Sequence, residues 1–252
     1  MTSATDSIVN PIKPKNISEL GRIAVMVSTQ ADLAHFCRLM NIDEDCFRGL
    51  FMSRLYIGED DYRAISLAGP MIGAPYSTMI LETLIAWGAN IFLFFGWCGS
   101  ISPNVRVGDI IVPESSIIDE GTSRHYKNHG LTGSKETDVI STPSERIMGQ
   151  LKIALNQCGH RYHAGKIWST DAIFRETRDK VEYYQRKNIL AVEMEVSALY
   201  NVGRFRNVEV GGVLVVSDEL YTFQWRPGFN DNRFKKRRKA VCEALCSLCQ
   251  TL

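Results

Sequence analysis

The stretch AVEMEVSALY, residues 191–200, sets two carboxylates, Glu193 and Glu195, on either side of Met194 where a strand turns into a helix. The apolar run Ile189 to Val192 reads as the end of a buried strand, and Val196, Ala198, Leu199 and Tyr200 read as the first turns of a helix. In open α/β sheets, ligands bind at the carboxyl ends of strands, in the crevice before the helices begin. One carboxylate there accepts a hydrogen bond from each hydroxyl of a vicinal diol, and its charge strengthens both bonds. A ribose carries such a diol. Acids in a helix's first turn also complement the macrodipole, so the pattern alone leaves a purely structural role open.

A second run, VLVVSD from Val213 to Asp218, is β-branched and again ends in an acid. Two successive strands then bring carboxylates to one sheet edge. Upstream, GWCGSISPNVRVGDIIVP (residues 96–113) follows the continuously apolar strand Ile91 to Phe95, and STDAIFRET (residues 169–177) follows a strand from His163 to Trp168. These four blocks, in this order, resemble the nucleoside phosphorylase family: uridine phosphorylases, bacterial-type purine nucleoside phosphorylases, and the methylthioadenosine and AMP nucleosidases. The resemblance runs from about Arg22 to Leu248. It implies an α/β fold of three α/β/α layers around a central mixed, barrel-like sheet, and a homo-oligomer, dimeric or hexameric.

The 252 residues, 45% hydrophobic with net charge +1, suffice for one large domain with a buried core. Residues 1–20 carry Pro11 and Pro14 without periodicity and read as an N-terminal arm before a domain of residues 21–252. The neutral balance predicts no nucleic-acid or membrane partner, and the longest apolar runs are about half of a bilayer span. Seven cysteines without scaffold spacing and no signal peptide point to the cytoplasm.

Along the chain, Gly21 to Ser28 reads as the first strand, Ala31 to Met40 as a helix, and Tyr62 to Leu67 as a strand. The loop Ala68 to Pro75 follows, then a helix from Ser77 to Trp87. Gly69 and Gly73 either let the backbone approach a ligand or serve a plain turn. Residues 96–100 read as a loop at the same edge as the acids, and Ile117 to Tyr126 as a polar loop holding Arg124, His125 and Tyr126. Thr142 to Cys158 reads as a covering helix, and Arg233 to Leu252 as a second one. In the latter, the run Lys235 to Lys239 reads as a solvated face, and Cys242, Cys246 and Cys249 as small core residues rather than metal ligands.

The resemblance implies rupture of a nucleoside's C1'–N bond with no organic cofactor or metal. Glu195 and Asp218 are the expected catalytic residues. Glu193, Met194 and Glu195 are expected at the ribose, and Ile173, Phe174, Arg175 and Asp218 at the base. Asp218 donates a proton only if burial or a neighbouring acid raises its pKa, and Glu219 is adjacent. With no Gln-x-Arg after Phe174, a purine is favoured over uracil. Gly96, Trp97, Cys98, Arg54 and Arg124 are expected near the nucleophile.

In relatives an arginine and a hydroxyl residue hold phosphate where this chain has Phe94 and Trp97, and Ser28 and Asp32 stand near the other phosphate loop. Arg54, Arg124 or Arg175 must then rebuild a phosphate site. Inorganic phosphate as co-substrate is the first expectation; hydrolysis by water is the alternative. A nucleoside-binding module without turnover is opposed by the retention of Glu195 and Asp218, and a dinucleotide-dependent reductase by the lack of a glycine fingerprint.

Overall fold

Three strands hydrogen-bond to β5 (Ile91–Ser100): β1 (Ile23–Val27) and β10 (Glu209–Glu219) run parallel to it, and β9 (Ala191–Glu193) antiparallel. In the computed structural model, which describes residues 7–15, 20–59, 62, 65–126 and 139–252, this triple pairing closes the sheet on itself. From β10 the ladder passes antiparallel to β6 (Ile110–Asp119), parallel to β8 (His163–Thr170) and parallel to β9, returning to β5. The other side of β5 continues through β1 to parallel β4 (Ile65–Gly69), then antiparallel to β3 (Ser53–Ile57) and β2 (Arg48–Leu50). Short strands β7 (Ile140–Ser141) and β11 (Arg226–Pro227) attach to β6 and β10. A mixed sheet with a barrel-like closure, as expected, is therefore the centre of the molecule.

Strand alternation sends successive side chains to opposite faces, and both faces are buried. Ile23, Val25 and Val27 of β1, with Leu93 and Phe95 of β5, join the core covered by α1 (Gln30–Leu39), α3 (Glu145–Gln157) and α6 (Asn232–Cys249). Ala24, Met26, Phe92 and Phe94 face the core completed by α2 (Ala74–Ala86) and α5 (Val196–Arg206). A smaller cluster around Trp168 is closed by Val181 and Tyr184 of α4 (Arg178–Arg186). The three layers follow from this two-sided burial.

Several boundaries differ from the sequence reading. Residues 96–100 are the second half of β5, not a loop, because they gain partners on both sides, from β9 and β10. Likewise Ile117 to Asp119 belong to β6. The strand predicted from Tyr62 begins at Ile65, and Arg63 and Ala64 lie outside the described residues. Hairpin β2–β3 and helix α4 were not legible as elements. Cys242, Cys246 and Cys249 are buried in the core.

Part of the N-terminal arm, residues 1–6 and 16–19, lies outside the described residues. Trp87 ties the described part, its Nε1 donating to the Ile12 carbonyl at 3.1 Å and its carbonyl accepting the Leu20 N–H at 3.0 Å. Among the described residues, no helix is long and apolar enough to cross a membrane.

Candidate active site

A cavity of about 480 Å³ opens where the ends of β5, β9 and β10 meet, and it is walled by residues of all three. Gly99 of β5 pairs with Val192 of β9 on one side and Asp218 of β10 on the other. A Cβ on Gly99 would come within 2.5 Å of the Leu220 Cδ1 and 3.2 Å of the Asp218 carboxylate, so a larger residue would displace these cavity-facing side chains. The register of β10 shifts between Val216 and Asp218. Such an irregularity re-aims side chains, and here Ser217 and Asp218 both reach the cavity.

The two acids of the Glu-Met-Glu triplet have different surroundings. Glu193 is buried; its Oε2 accepts the backbone N–H groups of Glu195 and Val196 at 2.7 and 2.8 Å, and its Oε1 accepts the Ser169 hydroxyl. It thus satisfies the first amides of α5, which carries no side-chain cap of its own. Ser169 in turn meets Ser116 Oγ at 2.7 Å and accepts from the Ser197 amide at 2.9 Å. Both Glu193 oxygens accept internal donors, while Glu193, like Glu195, lines the cavity.

Glu195, also buried, accepts the Gly73 N–H at 2.5 Å. Gly73 has φ of 80°, the left-handed region that glycine enters without strain, and it opens α2. Burial and the neighbouring Glu193 push the Glu195 carboxyl well above the ordinary range; of this pair, Glu193, with its three donors, is the better anion. Met194 lines the cavity beside them, with Met71 and Ile72.

Asp218 accepts the Ser217 hydroxyl at 2.6 Å on Oδ1 and the Trp225 indole N–H at 2.9 Å on Oδ2. Its carboxyl is raised by burial. The predicted acidic neighbour is the wrong one: Glu219, pointing to the other side of the strand, accepts the Val107 N–H at 3.0 Å and lies 3.9 Å from Arg106. Glu176, which sequence reasoning passed over, stands in the same cavity, and burial and then Asp218 push its carboxyl up to about 7.

Ile173 and Phe174 line the cavity, and Phe174 is 97% exposed, an aromatic face without a ring partner among the described residues. Arg175 is exposed outside the lining, as is Arg124 on the 3-10 turn Thr122–Tyr126. Arg54 lies over the Phe47 ring at 4.4 Å, also outside the cavity. Within one chain, none of these three arginines reaches the site. Trp97 and Cys98 line it, whereas Gly96 packs on Phe94. Burial holds the Cys98 thiol well up, with Asp218 and Glu193 adding to the effect, so it is no thiolate nucleophile.

Beside Ser28 and Thr29 lies a charged cluster. Buried Asp32 accepts from Thr29 Oγ1 at 2.8 Å, from Trp97 Nε1 at 2.8 Å and from Arg238 Nε at 2.9 Å, and Arg238 also covers the Trp97 ring at 4.4 Å. Arg238 belongs to the basic run of α6 that reads as a solvated face; one of its five members turns inward. The cavity lining contains no lysine, arginine or histidine among the described residues. Trp225 and Phe229, in the segment after β10, complete the wall and carry no sequence signal beyond their aromaticity.

The family description "Phosphorylase superfamily" matches residues 22–252. The chain is 25% identical over 175 residues to a guanosine phosphorylase of Halorubrum lacusprofundi, an alignment covering 69% of each chain. It is 29% identical over 164 residues to a DeoD-type purine nucleoside phosphorylase of Roseobacter denitrificans, covering 65% of this chain and 67% of that one. Among solved structures, uridine phosphorylase from Vibrio fischeri superposes with a TM-score of 0.77 at 22% identity, covering 98% of this chain and 99% of the other. A 5'-methylthioadenosine/S-adenosylhomocysteine nucleosidase from Helicobacter pylori gives 0.72 at 20% identity, covering 92% and 99%. Matched from its first core strand to its last residue, the chain belongs to the phosphorylase superfamily.

Proposed function

We propose that the protein cleaves the N-glycosidic bond of a nucleoside by ribosyl transfer to phosphate, with a purine as the preferred base. The observation that carries this reading is the meeting of Glu195, Asp218 and the bare Phe174 ring in one cavity. Glu195 is assigned to the ribose hydroxyls with Met194 packed on the sugar; Phe174 and Ile173 stack on the base. Asp218 is assigned to the proton that the departing base needs. Buried negative charge stabilises the ribosyl cation that forms as the bond breaks. The names of the guanosine and purine nucleoside phosphorylase relatives support both the transfer and the base.

Hydrolysis is the second reading, favoured by the absence of any cationic side chain from the lining among the described residues. A phosphate dianion among these carboxylates is desolvated without compensating charge, at a cost of several kcal/mol. Phosphate needs a cation from outside the chain's own cavity. We assign that part to Arg54 of a second copy in a homo-oligomer, because Arg54 follows an exposed apolar tip, Phe51 and Met52.

Nucleoside cleavage with and without phosphate decides between the readings. Strict phosphate dependence with ribose 1-phosphate formed supports transfer, and equal base release into free ribose in phosphate-free buffer supports hydrolysis. Light scattering across a concentration series tests the oligomer, which a monomer at all concentrations overturns.

A further inference from the structure

Glu176 follows the turn Ile173–Arg175, its amide bonded to the Ile173 carbonyl at 3.3 Å, so the segment that presents Phe174 also sets Glu176 in the cavity. Its carboxyl takes no hydrogen bond from the chain among the described residues, although Glu176 is only partly exposed and lines the same cavity as Asp218. Asp218, in contrast, accepts a hydroxyl and an indole N–H. Donors aimed at a carboxylate favour its anion, whereas burial without donors favours the acid. Two partly buried carboxyls sharing one cavity, with such unequal surroundings, do not both ionise readily.

We infer that Glu176 is the second carboxyl of the leaving-base site, and that it and Asp218 hold one proton between them for delivery to the base. The inference rests on the proposed N-glycosidic cleavage and deepens it. As the C1'–N bond breaks, its electron pair passes to the base and the shared proton moves to a base nitrogen. Both carboxyls are left anionic. An oxygen of phosphate, or of water, closes on C1'; in the hydrolytic case the proton shed by that water recharges the pair, and otherwise bulk solvent does.

Glu193 and Glu195 line the same cavity as the pair, and both are themselves raised by burial. Lys180 of α4 draws the Glu176 pKa down, but its ammonium is bonded to Asp119 of β6 at 2.7 Å. Arg178 lies over the Phe223 ring at 4.7 Å, and Glu219 is turned away toward Val107. On β5 the neighbour is the neutral Cys98 thiol. Among the described residues, none of these contacts neutralises the pair, and the proton is what relieves it.

The test compares wild type, Glu176→Gln and Glu176→Asp on a purine nucleoside and on a nitrophenyl riboside, whose leaving group needs no proton. Wild-type kcat/KM on the nucleoside should fall as pH rises through about 7. Glu176→Gln should lose about 10-fold or more on the nucleoside at neutral pH and stay within about two-fold on the nitrophenyl riboside. Its alkaline limb should move to lower pH, since Asp218 loses its acidic neighbour, and Glu176→Asp should recover part of both. Equal losses on the two substrates, or an unmoved limb, overturn the inference even if the protein is an active nucleoside-cleaving enzyme. If wild type cleaves neither substrate with or without phosphate, the proposed function falls, and the inference with it.

Discussion

The indole N–H of Trp97 donates to Asp32 at 2.8 Å while Arg238 covers the same indole ring at 4.4 Å, so one aromatic side chain bridges the two halves of a buried ion pair. The side chains of Asp32 and Arg238 are 3% and 14% exposed. Removing one partner strands the other charge in a poorly solvated place. Asp32→Ala should therefore cost about 3–5 kcal/mol of stability. The double replacement Asp32→Ala with Arg238→Met should cost less than the sum of the single changes, which urea unfolding of the four proteins measures. Additive losses would remove the pair as a unit.

Glu193 and Glu195 differ by two positions and should differ in kind when replaced. Glu193→Ala leaves two amides of α5 and the Ser169 hydroxyl without an acceptor, and is expected to lower stability by about 2 kcal/mol or more. Glu195→Ala removes a buried acid bonded to one amide and should unfold near wild type, yet lose about 100-fold or more in nucleoside cleavage because the sugar is no longer oriented. Thermal melts alongside kcat/KM separate the two. A Glu195→Ala protein that cleaves at a near-normal rate would contradict the ribose assignment.

Asp218→Asn keeps the shape of the side chain and an acceptor for the Trp225 indole, but it cannot pass on a proton. The loss on purine nucleosides is expected to exceed that on a nitrophenyl riboside by about 100-fold. Equal losses would place Asp218 in binding only.

Stability should also depend on pH through the raised carboxyls. Glu176 rises from 4.5 to about 7 on folding, and Glu195 also rises, so between these limits the folded chain holds more protons than the unfolded chain. Stability from this source is complete below about 4.5 and declines as pH climbs through about 7. Urea midpoints at pH 5 and 8 should show the decline in wild type and a smaller one in Glu176→Gln. An identical slope in both proteins would mean that Glu176 keeps its ordinary pKa.

The fold was legible where the sequence repeats one physical demand many times. Continuously apolar strands such as Ile91 to Phe95 announce burial on both faces, and the stripe Ile147, Leu151 and Leu155 announces a covering helix; all are buried. Closure of the sheet was visible through family likeness alone, because no local pattern tells β10 to pair with both β5 and β6. At the site, acids ending apolar strands were readable, and Glu195 and Asp218 do meet in one cavity. What was not readable depends on side-chain direction. Glu219 neighbours Asp218 in sequence but points away, whereas Glu176, 42 positions earlier, faces it. Arg238 was hidden in a basic run in which Lys235, Lys236 and Lys239 meet solvent and Arg237 is partly covered beside His160, because position around the helix decides which cation reaches the buried Asp32.

The pairing of Gly99 with Val192 on one side and Asp218 on the other turns the sheet into a ruler. β9, which leads into Glu195, and β10, which bears Asp218, are separated by β5 alone, two inter-strand steps or about 10 Å. That interval is held by backbone hydrogen bonds inside a closed ring, where no strand slides without breaking ladders on both sides. Replacing wall residues such as Phe174, Trp225 or Ile72 therefore reshapes the cavity, while the spacing between the strand ends that frame it stays fixed by the main chain.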